Sequence, residues 1–188
     1  MSPSDACSVC SAEHAGWLST PVRRLITDPR RVLRGLAGPG DVVMDLGCGP
    51  GFFTLPLAEA VGDGGRVIAV DLQAAMLDRV RGHAARRGLL ERIRLHQCGA
   101  GSLGLSDVAP VDFALAFWMV HEVPDKDGFL REVFGIVKPG GRFLLVEPMG
   151  HVSKGRFAAT VELAKQAGFV PVTEPRVGFS RAVLFGRP

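Results

Sequence analysis

Val42-Val43-Met44-Asp45-Leu46-Gly47-Cys48-Gly49-Pro50-Gly51 joins a short apolar run to three glycines spaced by twos, with a carboxylate near the join. The apolar run reads as a buried strand, and the glycines let the backbone turn tightly and approach a ligand closely. A helix is expected to start near Phe52, bringing free N–H groups to the same place. A second apolar run, Arg66-Val67-Ile68-Ala69-Val70, ends at Asp71. That acid falls about 20 residues past the glycines, where a Rossmann-type fold sets the carboxylate that grips ribose hydroxyls. Together these features describe a nucleoside site.

The nucleoside is not read as a dinucleotide. Those sites follow G-x-G-x-x-G, with the third glycine packing the helix. Here Phe52 stands at that third position, and Asp45 precedes the first glycine by two residues. A carboxylate beside a pyrophosphate repels it, whereas beside an ammonium or sulfonium it attracts. Asp45, Gly47, Gly49, Gly51 and Asp71 resemble, in order, the first motif and second-strand acid of the class I S-adenosylmethionine-dependent methyltransferases. The resemblance runs from about Asp41 to the C-terminus. It implies S-adenosylmethionine as cofactor, with Asp45 holding the methionine amino group through water, the glycines passing beside the cofactor, and Asp71 with Leu72 at the ribose.

With 188 residues, the chain has room for one well-buried α/β domain and not for two. Residues 1–39 read as an N-terminal appendage or lid and 40–188 as the methyltransferase domain. Met1 to Cys10 has neither a basic start nor an apolar run, and the longest apolar stretch, Phe113 to Val120, is far shorter than a membrane span. A cytoplasmic protein with no membrane span is expected. The net charge is +3, with arginines gathered between Arg23 and Arg34 and between Arg79 and Arg94. These read as solvated helix faces rather than a nucleic-acid track, since no aromatic residues interleave with them. Tyrosine is absent, which removes phenol-based catalysis.

Strands and helices alternate after Gly40, which predicts a mostly parallel sheet covered on both faces. Asp28-Pro29 is a helix start. Helices are expected over Gln73 to Arg87, Asp125 to Val137 and Ser153 to Gly168, and strands at Ile93 to Leu95, Val111 to Phe117 and Arg142 to Glu147. Phe169 to Thr173 and Gly178 to Phe185 read as a closing hairpin. The fold class is therefore α/β, a Rossmann-like doubly wound sheet with an antiparallel C-terminal edge hairpin.

By the resemblance, the end of strand four lies beside the transferred methyl, in Ala116-Phe117-Trp118-Met119-Val120-His121-Glu122. Phe117 is a cofactor-lining candidate, His121 the best candidate for base or acceptor-orienting residue, and Glu122 the next. His121 could equally cap a turn or pack beneath the following helix. Glu147 could line the site or pair with an arginine. The adenine pocket is expected after strand three, where relatives usually carry an acid; this chain has Cys98 and Gly99.

Cys7-x-x-Cys10 followed by His14 is a partial soft-metal ligand set, whose fourth member could come from His121, His151 or Cys98 if the appendage folds over the site. Without an export signal, the four cysteines read as free thiols or metal ligands rather than disulfides. Thiols on a lid over the acceptor pocket resemble the arsenite methyltransferases in principle, though the characteristic cysteines of that group are placed differently. The expected function is methyl transfer to a small-molecule acceptor, with metalloid methylation or thiol-based metal sensing as the alternative. A nicotinamide oxidoreductase is disfavoured by Phe52 and Asp45. RNA methylation is disfavoured by the lack of a Pro-Pro-aromatic motif.

Overall fold

The computed structural model describes residues 27–105 and 108–188. Cys7, Cys10 and His14, with the apolar segment at Trp17 and Leu18, lie outside the described residues. Among those described, no helix is long and apolar enough to cross a membrane.

Seven strands form one sheet in the order β3-β2-β1-β4-β5-β7-β6. They are β1 (Val42–Leu46), β2 (Arg66–Asp71), β3 (Ile93–Gln97), β4 (Val111–Phe117), β5 (Val137–Pro148), β6 (Val170–Thr173) and β7 (Ser180–Gly186). The first five run parallel. β7 pairs antiparallel with both β5 and β6, so it is inserted inside the edge and β6 is outermost. The expected closing hairpin is thus present, with its second strand toward the centre.

Side chains alternate across the strands and build two cores. Val43, Val67, Phe113, Leu115 and Leu144 face α2 (Thr54–Val61) and α3 (Ala74–Ala85). Met44, Ile68, Ala114, Phe143 and Leu145 face α4 (Lys126–Ile136) and α5 (Lys154–Gln166). The short α1 (Pro29–Val32) is capped by Asp28, whose side chain accepts from the Arg30 N–H at 3.0 Å. The segment after it is tied to the sheet by Arg142, which donates to the carbonyls of Gly35 at 2.8 Å and Leu36 at 3.1 Å.

Two expected boundaries move. The helix after the glycines begins at Thr54 rather than near Phe52. Pro56 explains the shift: it has no N–H and is tolerated only in a helix's first turn, where that donor would have no partner anyway. β5 begins at Val137, ahead of Arg142. Val111 pairs with Val137 and Phe113 with Arg142, so Lys138 to Gly141 loops out between two paired stretches. At Gly141 a Cβ would sit 2.8 Å from the Lys138 carbonyl oxygen and 3.0 Å from that of Asp112, so the loop closes only around glycine. Asp112 secures it by pairing with Lys138 and accepting from the Val42 N–H at 3.0 Å.

β1 and β4 are adjacent but not consecutive, so the strand order reverses between them. In open α/β sheets that reversal opens a crevice at the carboxyl ends of the strands.

Candidate functional site

A cleft of about 1120 Å3 occupies that crevice, bounded by the ends of β1 and β2, the loop after β3, the turn after β4 and the turn after β5. Typical small-ligand sites reach about 1,000 Å3 at the large end. The space therefore suits a nucleoside together with a second molecule.

Gly47, Gly49 and Gly51 all have positive φ (65°, 51° and 94°). Their environments differ. A Cβ on Gly47 would lie 2.8 Å from Cβ and Cγ of Met119, so this glycine lets the loop press against the turn after β4. A Cβ on Gly49 would meet nothing within 4 Å, because the residue faces the cleft. Gly51 borders neither cavity and packs toward Val80 and Leu55 beneath the loop. Cys48 fills the loop's underside, and burial pushes its thiol well up, with the nearby Asp45 and Asp71 charges adding to the effect. It is inert filler.

Asp71 is 8% exposed and lines the cleft. Its Oδ2 accepts from the Gly49 N–H at 2.8 Å and its Oδ1 from the Gln73 N–H at 2.9 Å. The carboxylate thus locks the glycine loop to the end of β2. Each oxygen retains a lone pair for a hydroxyl donor. Burial holds the Asp71 carboxyl above the usual carboxylate range, partly offset by N–H donation from Gln73 and Gly49. Leu72 also lines the cleft, and its carbonyl accepts from the Gln97 side chain at 3.1 Å.

Asp45 stands on the α2 side of the sheet and is 2% exposed. The Thr54 hydroxyl, at the first residue of α2, donates to its Oδ2 at 2.6 Å. Asp45 and Phe117 border not the main cleft but a separate cavity of about 70 Å3 under the loop, shared with Trp118. A cavity of that size takes about two waters. Phe117 packs its ring 4.4 Å from that of Phe53.

Cys98 and Gly99 both line the cleft wall after β3. Burial raises the Cys98 thiol, with Asp71 contributing, so it presents a neutral surface. The wall's shape comes from Glu132 on α4, whose Oε2 accepts from the Leu103 N–H at 2.7 Å and the Ser102 hydroxyl at 3.2 Å. Glu132 also borders the cleft, a role that sequence reasoning misses because its helical position carries no local motif.

At the opposite wall, Trp118 leaves β4 with φ 61°, a left-handed conformation rare for a bulky side chain. Its N–H donates to the Val146 carbonyl at 2.8 Å and its indole N–H to Ser180 at 2.9 Å, which hold the reversal. The chain then turns back through Val120–Glu122 and presents His121 and Glu122 to the cleft. Glu147, at the end of β5, is 2% exposed. Among the described residues it pairs with no arginine. Its Oε1 accepts from the His121 backbone N–H at 2.8 Å, and its Oε2 lies 2.6 Å from His121 Nδ1. A carboxylate only accepts, so Nδ1 is the donor to Glu147 and Nε2 is the ring nitrogen that Glu147 does not engage. Glu122 approaches Nε2 to 3.9 Å. His151, in the turn after β5, lies nearly parallel to His121 with ring centroids 6.3 Å apart. The sequence offers His151 only as a possible fourth ligand beside Cys7, Cys10 and His14, not as a neighbour of His121.

No group of three or more His, Cys, Asp or Glu among the described residues could hold a metal ion.

Residues 37–169 match the family model described as a methyltransferase domain. The ubiquinone/menaquinone biosynthesis C-methyltransferase UbiE of Legionella pneumophila (strain Lens) is 37% identical over 109 residues, 58% of this chain and 43% of the relative. The enzyme of the same name from Vibrio campbellii is 36% identical over 115 residues, 59% of this chain and 42% of the relative. The chain thus spans less than half the length of these relatives. A crystal structure of a SAM-dependent methyltransferase from Aquifex aeolicus superposes with a TM-score of 0.81 at 25% identity, covering 93% of this chain and 97% of that one. TrmN from Thermus thermophilus gives 0.67 at 26% identity, covering 85% of this chain and 48% of that one.

Proposed function

The chain belongs to the class I S-adenosylmethionine-dependent methyltransferase family, and we propose that it methylates a small organic acceptor held at the His121 end of the cleft. The observation that carries this reading is a buried carboxylate, Glu147, spending both oxygens on His121 in the cleft that Asp71 and Gly49 also line. The relatives' names, which specify carbon methylation in quinone biosynthesis, favour an organic acceptor.

The residues present fit the cofactor. Asp71 has acceptor capacity for two ribose hydroxyls, and Gly49 leaves the loop open to the ligand. Asp45, over its small cavity, would hold the cationic methionine ammonium through water. Cys98 and Gly99 would flank the adenine, with Glu132 keeping their loop in shape. When bound, S-adenosylmethionine supplies an electrophilic methyl on a cationic sulfur that leaves with the bonding electron pair.

The protein's own work is alignment and proton removal. Placing donor and acceptor in line contributes up to ~7–11 kcal/mol in favourable cases. Glu147 fixes the His121 ring so that Nε2 faces the cleft as a proton acceptor, a role worth roughly 10²–10⁴ in rate. Glu122, which also lines the cleft, approaches Nε2 to 3.9 Å.

The test is to incubate the protein with methyl-labelled donor and a fractionated cell extract. Label in a low-molecular-weight product, lost in His121→Gln while S-adenosylhomocysteine still binds, supports the proposal. Label confined to RNA or protein would overturn it.

A further inference from the structure

The main cleft and the small cavity over Asp45 have three lining residues in common among those described: Gly47, Gly49 and Trp118. Two are glycines, so Trp118 alone sets a side chain against both spaces. Its placement is built rather than incidental. The left-handed backbone, φ 61°, is pinned by the Trp118 N–H, which donates to the Val146 carbonyl at 2.8 Å. Strain of this kind persists only where the surroundings over-determine it, and it gathers at ligand sites. The indole N–H donates to Ser180 Oγ at 2.9 Å, and Ser180 is buried and tied by its own N–H to the Val177 carbonyl at 3.0 Å. That bond occupies the indole's one polar atom. The rest of the ring is aromatic carbon, backed by the Phe117 ring 5.1 Å away.

In S-adenosylmethionine the sulfonium joins the ribose to the chain that ends in the methionine ammonium. With the ribose at Asp71 in the cleft and the ammonium over Asp45 in the small cavity, the sulfur falls on the path between them. The residues that border both spaces are the ones it passes. A cation near the face of an indole is attracted by the ring's quadrupole, and tryptophan is the strongest of the aromatic residues in this respect. Once the methyl has left, the sulfur is a neutral thioether and the attraction is gone.

Resting on the cofactor placement proposed above, we propose that Trp118 reads the charge of the cofactor: its indole favours the cationic sulfonium of the donor over the neutral thioether of the product. Trp118 is a specificity-determining residue, and Ser180 is the positioning residue that holds its ring. The carboxylates of Asp45 and Asp71 also favour a cation, so the indole's share is the part of the preference that disappears with the ring. Charge leaves sulfur on the way to the transition state, so this contact is strongest in the ground state and serves donor capture and product exchange rather than the chemical step.

Calorimetric titration with S-adenosylmethionine and S-adenosylhomocysteine, in the absence of any acceptor, tests this without knowledge of the substrate. The readout is the ratio of the two affinities, because lost packing weakens both ligands alike and leaves the ratio unmoved. Trp118→Gly removes the ring while suiting the left-handed backbone, and it should lower the ratio about three- to thirtyfold, the range of a cation over an indole. Trp118→Phe keeps a weaker aromatic face and should lower it less. Ser180→Ala, which leaves the ring unheld, should shift the ratio in the same direction. Sinefungin, which carries an amine cation at the same place, should follow S-adenosylmethionine through the series. An unchanged ratio in Trp118→Gly overturns the charge-reading role and leaves methyl transfer standing; should that variant bind neither ligand, the ratio in Trp118→Phe decides in the same way. If the parent binds neither ligand, the cofactor placement and the role of Trp118 fall together.

Discussion

Replacing Asp71 by asparagine separates ligand binding from the integrity of the loop. In the parent, Oδ1 and Oδ2 each accept one backbone N–H, from Gln73 and Gly49. Asparagine keeps the shape but offers one oxygen, so its amide group must face one of those N–H donors. An unmatched buried donor costs about 1–3 kcal/mol. Against this, the substitution removes a carboxylate that burial holds above its ordinary range, so the unliganded protein should stay folded. Binding is different. Two ribose hydroxyls exchange charge-assisted bonds for neutral ones, a loss of roughly 1–1.5 kcal/mol each, or about 30- to 150-fold in S-adenosylhomocysteine affinity. Calorimetric titration measures this directly. pH supplies a second signature. Hydroxyl donors prefer the ionised carboxyl, so parent affinity should be level above the Asp71 pKa and fall as pH drops through it. Unliganded stability runs oppositely: with the folded pKa raised, this group's contribution is fullest below the unfolded value and is lost as pH rises through the folded one. The Asp71→Asn substitution should flatten both profiles. A folded Asp71→Asn protein binding S-adenosylhomocysteine within threefold of the parent would refute the site assignment.

Glu147→Gln should preserve folding and keep S-adenosylhomocysteine affinity within about twofold, while methyl transfer to an acceptor needing deprotonation falls roughly 10²–10⁴-fold; nitrogen NMR of His121 should report a changed tautomer. Gly47→Ala forces a left-handed alanine, costing about 1–2 kcal/mol, and drives a methyl into Met119 at 2.8 Å. Chemical denaturation should show greater destabilisation than for Gly49→Ala, which has the same backbone strain but open space. Equal losses would discount the close approach. Thr54→Val removes the hydroxyl that donates to Asp45 at 2.6 Å and should cost about 1–3 kcal/mol of stability; a neutral result would mean that water replaces the hydroxyl.

The glycine-loop half of the cleft was legible because it depends on local backbone chemistry. Gly47 and Gly49 adopt conformations that side chains resist, and Asp71 follows at a spacing set by one strand, one helix and the next strand. Such requirements leave their mark within a few residues. Even there, local pattern did not say which glycine faces the cleft and which packs on a helix. That division is decided by Met119 and Val80, which lie far along the chain from the glycines they meet.

The acceptor half follows another logic. His121 was visible as a titratable residue after a buried strand, but its tautomer is set by Glu147, 26 positions away, through the parallel pairing of β4 and β5. That register also carries the strained Trp118, whose N–H continues the ladder to Val146 before the chain reverses. His151 joins the pair only because the Pro148 turn folds back over the end of the same strand. No periodicity records such a meeting. The proposed acceptor end is thus assembled from turns at the ends of two neighbouring strands, while the proposed cofactor end is a separate loop that meets those turns at Gly47. Substitutions at the proposed acceptor end, such as His121→Gln, are therefore expected to leave Asp71 and Gly49 undisturbed. Lost methyl transfer with unaltered S-adenosylhomocysteine affinity is the outcome expected of them, and a parallel loss of affinity would refute the separation.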